Sequence, residues 1–274
     1  MNTLSTLTFG SHANVFSQNL SMDTLRERVP AVFAEYPDER LSGKYTFIPS
    51  GRVLSGLISA GFVPVDGRQT HTRKSNLLHA RHVLRMRRRF ETVALRDSVP
   101  EIVFLNSHDG TSAYQLRLGL FRVVCTNGLI VSRGAFPAYC VAHRGNVVDD
   151  VVAGALAMAE RFEVLATQVE RMEHRVMERG EQIEFAAQAL SLRYPDRATQ
   201  GMLPVQLLTY RRPQDLGDDL WSVLNKVQEN LIGGGIQRRS PTGRLLRTRR
   251  ITSIREDVRL NSRLWDLASE VMAS

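Results

Sequence analysis

The chain reads as an α+β protein: a mostly antiparallel β-sheet packed by helices, followed by a long helix and a helical C-terminal part. Two changes of hydrophobic period predict this. From Phe62 to His143 the apolar runs FVPVDG, LHARHVLRMRRRF, EIVFLNS, SAYQLRLGLFRVVC and PAYCVAH are strand-like and separated by turn chemistry. After Asn146 the apolar spacing becomes 3.6. A third observation is size: 274 residues, 43% of them hydrophobic and 23% charged, supply a full core for one or two domains.

The elements follow in order. Residues 1–40 are polar and turn-rich, with a short helical candidate at Asp23–Tyr36 interrupted by Pro30, and read as an N-terminal extension. Residues 41–192 read as the α+β core. Within it, Ser50 precedes RVLSGLISAGF, whose Val53, Leu54, Leu57 and Ile58 form a helical stripe, so a helix is expected at 51–60 with Ser50 as N-cap and Gly61 beyond its end. Asn106-Ser-His-Asp-Gly110 is a turn, because Asn and Asp bond their own backbone and Gly accepts positive φ. Tyr114, Leu116, Leu118 and Leu120 alternate with Gln115, Arg117 and Gly119 as a half-buried strand requires. Residues 148–192 contain no Pro, and predict one long helix or two broken near Gly180. Residues 193–274 read as a helical region, with helices at Asp218–Ile232 and from Ser253 to Met272 around a basic arm.

Charge is the strongest functional signal. Residues 68–96 and 237–263 each carry nine Lys or Arg against one and two acids, giving nets of +8 and +7, whereas the whole chain is only +8. Positive charge concentrated in this way marks a polyanion partner. Of the 36 basic residues 33 are Arg, whose planar fork grips phosphate through paired hydrogen bonds. Read with period two, Arg81, Val83, Arg85, Arg87 and Arg89 share one strand face, and His82, Leu84, Met86, Arg88 and Phe90 the other. The candidate nucleic-acid contacts are therefore Arg73, Lys74, Arg81, Arg85, Arg87 and Arg89 in the first block. Arg247, Arg249 and Arg250 join them from the second, where Pro241 and Gly243 suggest a mobile arm.

Rival chemistries are poorly supported. Asn106, His108, Asp109 and His143 could be drawn together as a metal or general-base site, yet no His-x-x-x-His, paired-acid or Gly-x-Ser-x-Gly pattern accompanies them. Cys125 and Cys140 lack Cys-x-x-Cys spacing, sit in apolar surroundings, and are expected as reduced thiols. Gly233-Gly-Gly235 follows a helix instead of opening one, the wrong polarity for a phosphate loop. No catalytic residue, metal ligand or cofactor is assigned. No apolar run is long enough to span a membrane, and the N-terminus lacks a basic stretch followed by an apolar one, so a cytoplasmic location without membrane contact is expected.

Four stretches carry a resemblance: KYTFIPSGRVLSGLISAGFVPV, EIVFLNSHDGTSAYQLRLGLFRVVCTNGLIV, DDLWSVLNKVQENLIGGG and RTRRITSIREDVRLNSRLWDLA. Together they resemble the phage/plasmid-like family known as domain of unknown function 932. The resemblance implies a setting in phages, plasmids and integrated mobile elements, and transfers no catalytic set. In element order and charge the chain also looks like phage single-strand annealing proteins of the Red-beta and Erf types, which is a fold-level analogy. The expected function is accordingly a non-catalytic single-stranded DNA-binding or annealing protein, assembled as a homo-oligomeric ring or filament. A host-interaction or anti-defence protein binding another protein is the alternative, and a metal-dependent nuclease using His108 and Asp109 the third.

Overall fold

The computed structural model describes residues 19–41, 46–70, 77–89, 98–122, 128–131, 138–141, 146–194, 201–240 and 242–274. Arg73, Lys74, Cys125 and His143 lie outside the described residues. The α+β class holds: helices and antiparallel sheets make up the chain, with a helix at its C-terminal end.

After a short helix α1 (Met22–Arg28), α2 runs from Ser50 to Ser59. Its end is as expected. Gly61 takes φ +91°, a conformation that costs a residue with a Cβ, and its N–H bonds the Ile58 carbonyl at 3.0 Å. Its start is not. Ser50 is the first helical residue behind Pro49, and its hydroxyl caps nothing, because it turns inward to buried imidazoles.

The main sheet is an antiparallel meander: β1 (Phe62–Gln69), β2 (His82–Arg88), β3 (Ser98–Asn106), β4 (Tyr114–Arg122) and β5 (Gly128–Val131), with β6 (Tyr139–Val141) pairing the other half of β4. Cys140, expected in apolar surroundings, is exposed on β6. The inner face buries Leu84, Met86, Ile102, Phe104, Leu116, Leu118 and Leu120 against Val53, Leu54 and Leu57 of α2 and Val151 and Ala155 of α3 (Val147–Ala159). The outer face carries a smaller cluster, Val83, Val103, Leu105, Phe121 and Ile130, closed by Ile254 and Val258 of the last helix, α7 (Ile254–Ala273). The period-two reading of β2 is thus correct about its two faces.

One irregularity re-aims the edge strand. Pro64 pairs Met86 but Asp66 pairs Arg85, so Val65 is an extra residue, a β-bulge. Without it Asp66 and Arg68 would continue the inward series of Phe62 and Pro64. With it they share the outer face with their partners Arg85 and Val83.

The 3.6-period stretch is three helices instead of one or two: α3, α4 (Phe162–His174) and α5 (Arg179–Arg193). The second break, at residues 175–178, falls near Gly180 as expected, although Gly180 itself lies in the first turn of α5. The first break, at Glu160–Arg161, has no Gly or Pro, and it turns Phe162 and Leu165 into the core. The second is made by a distant partner: Leu220 N–H bonds Arg175 O and Met177 N–H bonds Asp218 O, so residues 175–177 pair with the chain entering α6 (Leu220–Gly233) instead of continuing a helix.

The expected arm contains a strand pair, β7 (Gln237–Arg239) and β8 (Leu245–Arg247). Bonds from Gly235 N–H to Thr248 O and from Ile251 N–H to Ile232 O fasten it to the end of α6. Gly234, at φ +70°, makes this junction possible, since a Cβ there would stand 2.6 Å from the Arg249 carbonyl carbon.

Candidate nucleic-acid interface

The polar residues of α6 are structural. Gln228 donates to Asn261 Oδ1 at 2.9 Å, Glu229 accepts from Arg212 at 2.9 Å, and Asn230 donates to the carbonyls of Leu207 and Thr209 at 3.0 and 2.7 Å. All three are buried, so the QEN-LIGGG stretch ties α6 to the segment before it, to α7 and to the β7–β8 pair.

His108 belongs to a second buried knot. Nδ1 of His82 donates to Ala80 O at 3.0 Å, which leaves its Nε2 to accept the Ser50 hydroxyl proton at 2.9 Å. Ser50 Oγ in turn accepts from Asn106 Nδ2 at 3.0 Å and from His108 Nε2 at 3.2 Å. All four residues are fully buried, which suits pinning α2 to the ends of β2 and β3 and leaves no access for a substrate. Asp109 faces away into its own turn, accepting from Thr111 N–H and Oγ1 at 3.0 and 2.6 Å. Burial opposes its charge, but the bonds from Thr111 and Ser107, helped by the nearby positive charge of Arg81, prevail and hold its carboxyl below the ordinary value. Among the described residues no three His, Cys, Asp or Glu stand together as metal ligands.

Burial pushes the His82 imidazole down from 6.5 to about 4. Above pH 6.5 the folded and unfolded chains both leave it neutral, and the knot contributes in full. As the pH falls from about 6.5 to 4 the unfolded chain takes a proton that folded His82 refuses, so stability should decline by about 3 kcal/mol and then level off. The urea midpoint is expected to fall across that window, and to fall less in His82→Gln.

The basic strand is only partly available to an anion. Glu101, fully buried on the outer face of β3, takes Arg85 Nε at 2.7 Å and Arg87 Nη2 at 2.7 Å. Arg85 also lies 3.6 Å over the Phe121 ring. Both guanidinium groups are therefore anchored to Glu101, and only Arg85 also borders one of the surface openings. Arg89 is exposed just past the end of β2, and Arg247 and Arg249 are exposed on and beside β8.

The free positive charge collects elsewhere. Between the outer face of the sheet and α7 lies a cleft of about 590 Å³ whose lining includes Arg81, Arg117, Arg255, Arg259 and Arg263, with Asp266 its acid. Arg259 is held by Glu256 at 2.7 Å, and Arg263 approaches Asp266 only to 3.9 Å. Arg81 donates to Thr111 O at 3.1 Å and Arg117 to Gln115 Oε1 at 3.2 Å, but neither forms a salt bridge with a described residue, and both buried Nε atoms lack a hydrogen-bond partner. Desolvation lowers the Arg117 pKa, marking a cation stripped of water with no carboxylate among the described residues bonded to it. On the other side of Val258, a cavity of about 290 Å³ is bordered by Arg68, Arg85 and Arg250. The two basic blocks thus meet on one face, through Arg81 and Arg255 in the cleft and through Arg68 and Arg250 in the cavity.

Of the residues expected from sequence, Arg81, Arg85 and Arg250 border these openings, Arg87 does not, and Arg117, Arg255 and Arg263 were missed. The i, i+4, i+8 spacing of Arg255, Arg259 and Arg263 is a helical-face signal that could have found the latter two. Arg117 joins them only through strand pairing.

Comparison with known sequences sets this site in a family. Residues 39–265 match the family described as Domain of unknown function (DUF932). The chain belongs to that family. Two relatives from Escherichia coli (strain K12), UPF0380 protein YfjQ and UPF0380 protein YafZ, are each 37% identical over 254 residues, covering 92% of this chain and 92% of their own. No solved structure matches. Among the described residues of this DUF932 chain, no helix is long and apolar enough to cross a membrane.

Proposed function

We propose that the protein binds single-stranded nucleic acid, DNA in the first instance, along the cleft between the outer sheet face and α7, without catalysis. One observation carries the reading: arginines from two blocks far apart in sequence, Arg81 from the first and Arg255, Arg259 and Arg263 from the second, converge on that cleft with Arg117 of β4, and neither half-buried Arg81 nor half-buried Arg117 forms a salt bridge with a described residue. A cleft of about 590 Å³ falls within the roughly 300–1,000 Å³ range of small-ligand sites, so it receives a strand a nucleotide or two at a time and not a duplex. Fluorescence anisotropy at low salt with labelled single- and double-stranded oligonucleotides tests this. Tighter binding of the single strand is expected, and equal or absent binding of both would refute it.

The annealing form of the reading adds self-assembly into a ring or filament. The exposed apolar side chains Leu203, Val205, Tyr210 and Leu216 support a contact between copies. Light scattering of the protein with and without oligonucleotide reads the assembly directly.

A further inference from the structure

We propose that the cavity of about 290 Å³ beside the cleft seats one nucleobase, and that guanine is the base it prefers; this rests on the strand-binding reading above. The cavity lies below the usual volume range of drug-sized ligand sites, which suits one ring system better than a chain. Part of its lining is apolar: Val103, Phe121 and Ile130 from the sheet, Ile251 and Val258 from the segment that covers it. Phe121 is already stacked by Arg85 at 3.6 Å, so the ring is held in place before any base arrives.

The rim supplies the choice of base. The β-bulge in β1 turns Asp66 to this face, where its carboxylate accepts no hydrogen bond from a described residue and meets only Arg85 Nη1, at 3.6 Å. Bulges commonly re-aim a side chain beside a site. The other rim carboxylate, Asp257, is engaged by Arg68 and by Asn261. Arg250 is exposed at the cavity mouth with no salt-bridge partner among the described residues. One carboxylate that accepts no hydrogen bond from a described residue, Asp66, and one exposed guanidinium without a described salt bridge, Arg250, therefore remain. Guanine alone presents two adjacent N–H donors on one edge, matching a carboxylate, and the O6/N7 acceptor pair on another, matching Arg. Adenine and cytosine place a ring acceptor where the carboxylate would need a donor. The cavity and the cleft both border Val258, so a strand with its phosphates on Arg255 and Arg263 can turn a base inward.

The test uses the full chain and labelled oligothymidylate in which one central dT is replaced by dG, dA or dC. The dG strand is expected to bind about tenfold tighter than the other three, and in Asp66→Asn that advantage should shrink to within about twofold. Equal affinity for all four strands, or a dG advantage that survives in Asp66→Asn, overturns the pocket while leaving strand binding intact. Calorimetry with GMP, AMP, CMP and UMP separates the two ideas further. GMP binding alone, with no oligonucleotide bound at low salt, keeps the pocket and removes the strand reading; no preference for GMP removes the pocket.

Discussion

Replacing Arg81, Arg117, Arg255 and Arg263 together by Ala is expected to weaken single-stranded DNA binding about 1,000-fold at low salt while the chain still folds. The figure assumes about 1 kcal/mol net for each contact to phosphate, the value of an ordinary hydrogen bond and below the roughly 1.5–3 kcal/mol of a charge-assisted one. The physical reason lies in what these side chains lack. Arg81 and Arg117 are half-buried in the cleft wall with Nε atoms that lack a hydrogen-bond partner and no salt bridge to a described residue, and Arg255 and Arg263 stand exposed on one face of α7. A phosphate would supply the missing acceptor to the first pair and neutralise repulsion across the cleft. Pairwise replacement, Arg81 with Arg117 against Arg255 with Arg263, should show losses from both sides of the cleft, read by anisotropy.

The second large effect is on stability. Glu101→Ala should destabilise the fold by about 3–5 kcal/mol, because it leaves the Arg85 and Arg87 guanidinium groups largely buried with their shared counter-charge gone. In a chain of this length that corresponds to a drop of roughly 10 °C in Tm. Arg87→Ala should likewise lower Tm, while changing the salt dependence of DNA binding little. These outcomes separate the arginines that hold the sheet from those that face the cleft, two roles that a linear count of positive charge merges.

That merger shows where the sequence could be read and where it could not. The sheet, the helix ending at Gly61, the turn at 106–110 and the two faces of β2 were legible, because each follows from local periodicity or from a backbone position that needs Gly, Asn or Asp. The split of 148–192 into three helices was legible only in part. The first break carries no Gly or Pro, and the one expected near Gly180 is made by hydrogen bonds to residues 218–220, some forty positions away. Ser50 had the local look of an N-cap, and only the arrival of His82 and His108 from other elements turns it inward. For the interface, period two placed Arg85 and Arg87 on the outer face correctly. It could not show that Glu101 waits opposite them on β3, nor that Arg117 joins Arg81 across the sheet. Pairing register, not composition, decides which arginine is spent on the fold and which remains available.

The most direct measurement is the slope of log Kobs against log[salt] for a single-stranded oligonucleotide, taken for the wild-type chain and for the variant lacking Arg81, Arg117, Arg255 and Arg263. Release of about 0.7 counterion per neutralised phosphate predicts a wild-type slope of about −3 or steeper, and a variant slope shallower by about 3. A wild-type affinity indifferent to salt, or equal slopes for the two proteins, would contradict the assignment of the cleft as the strand-binding surface.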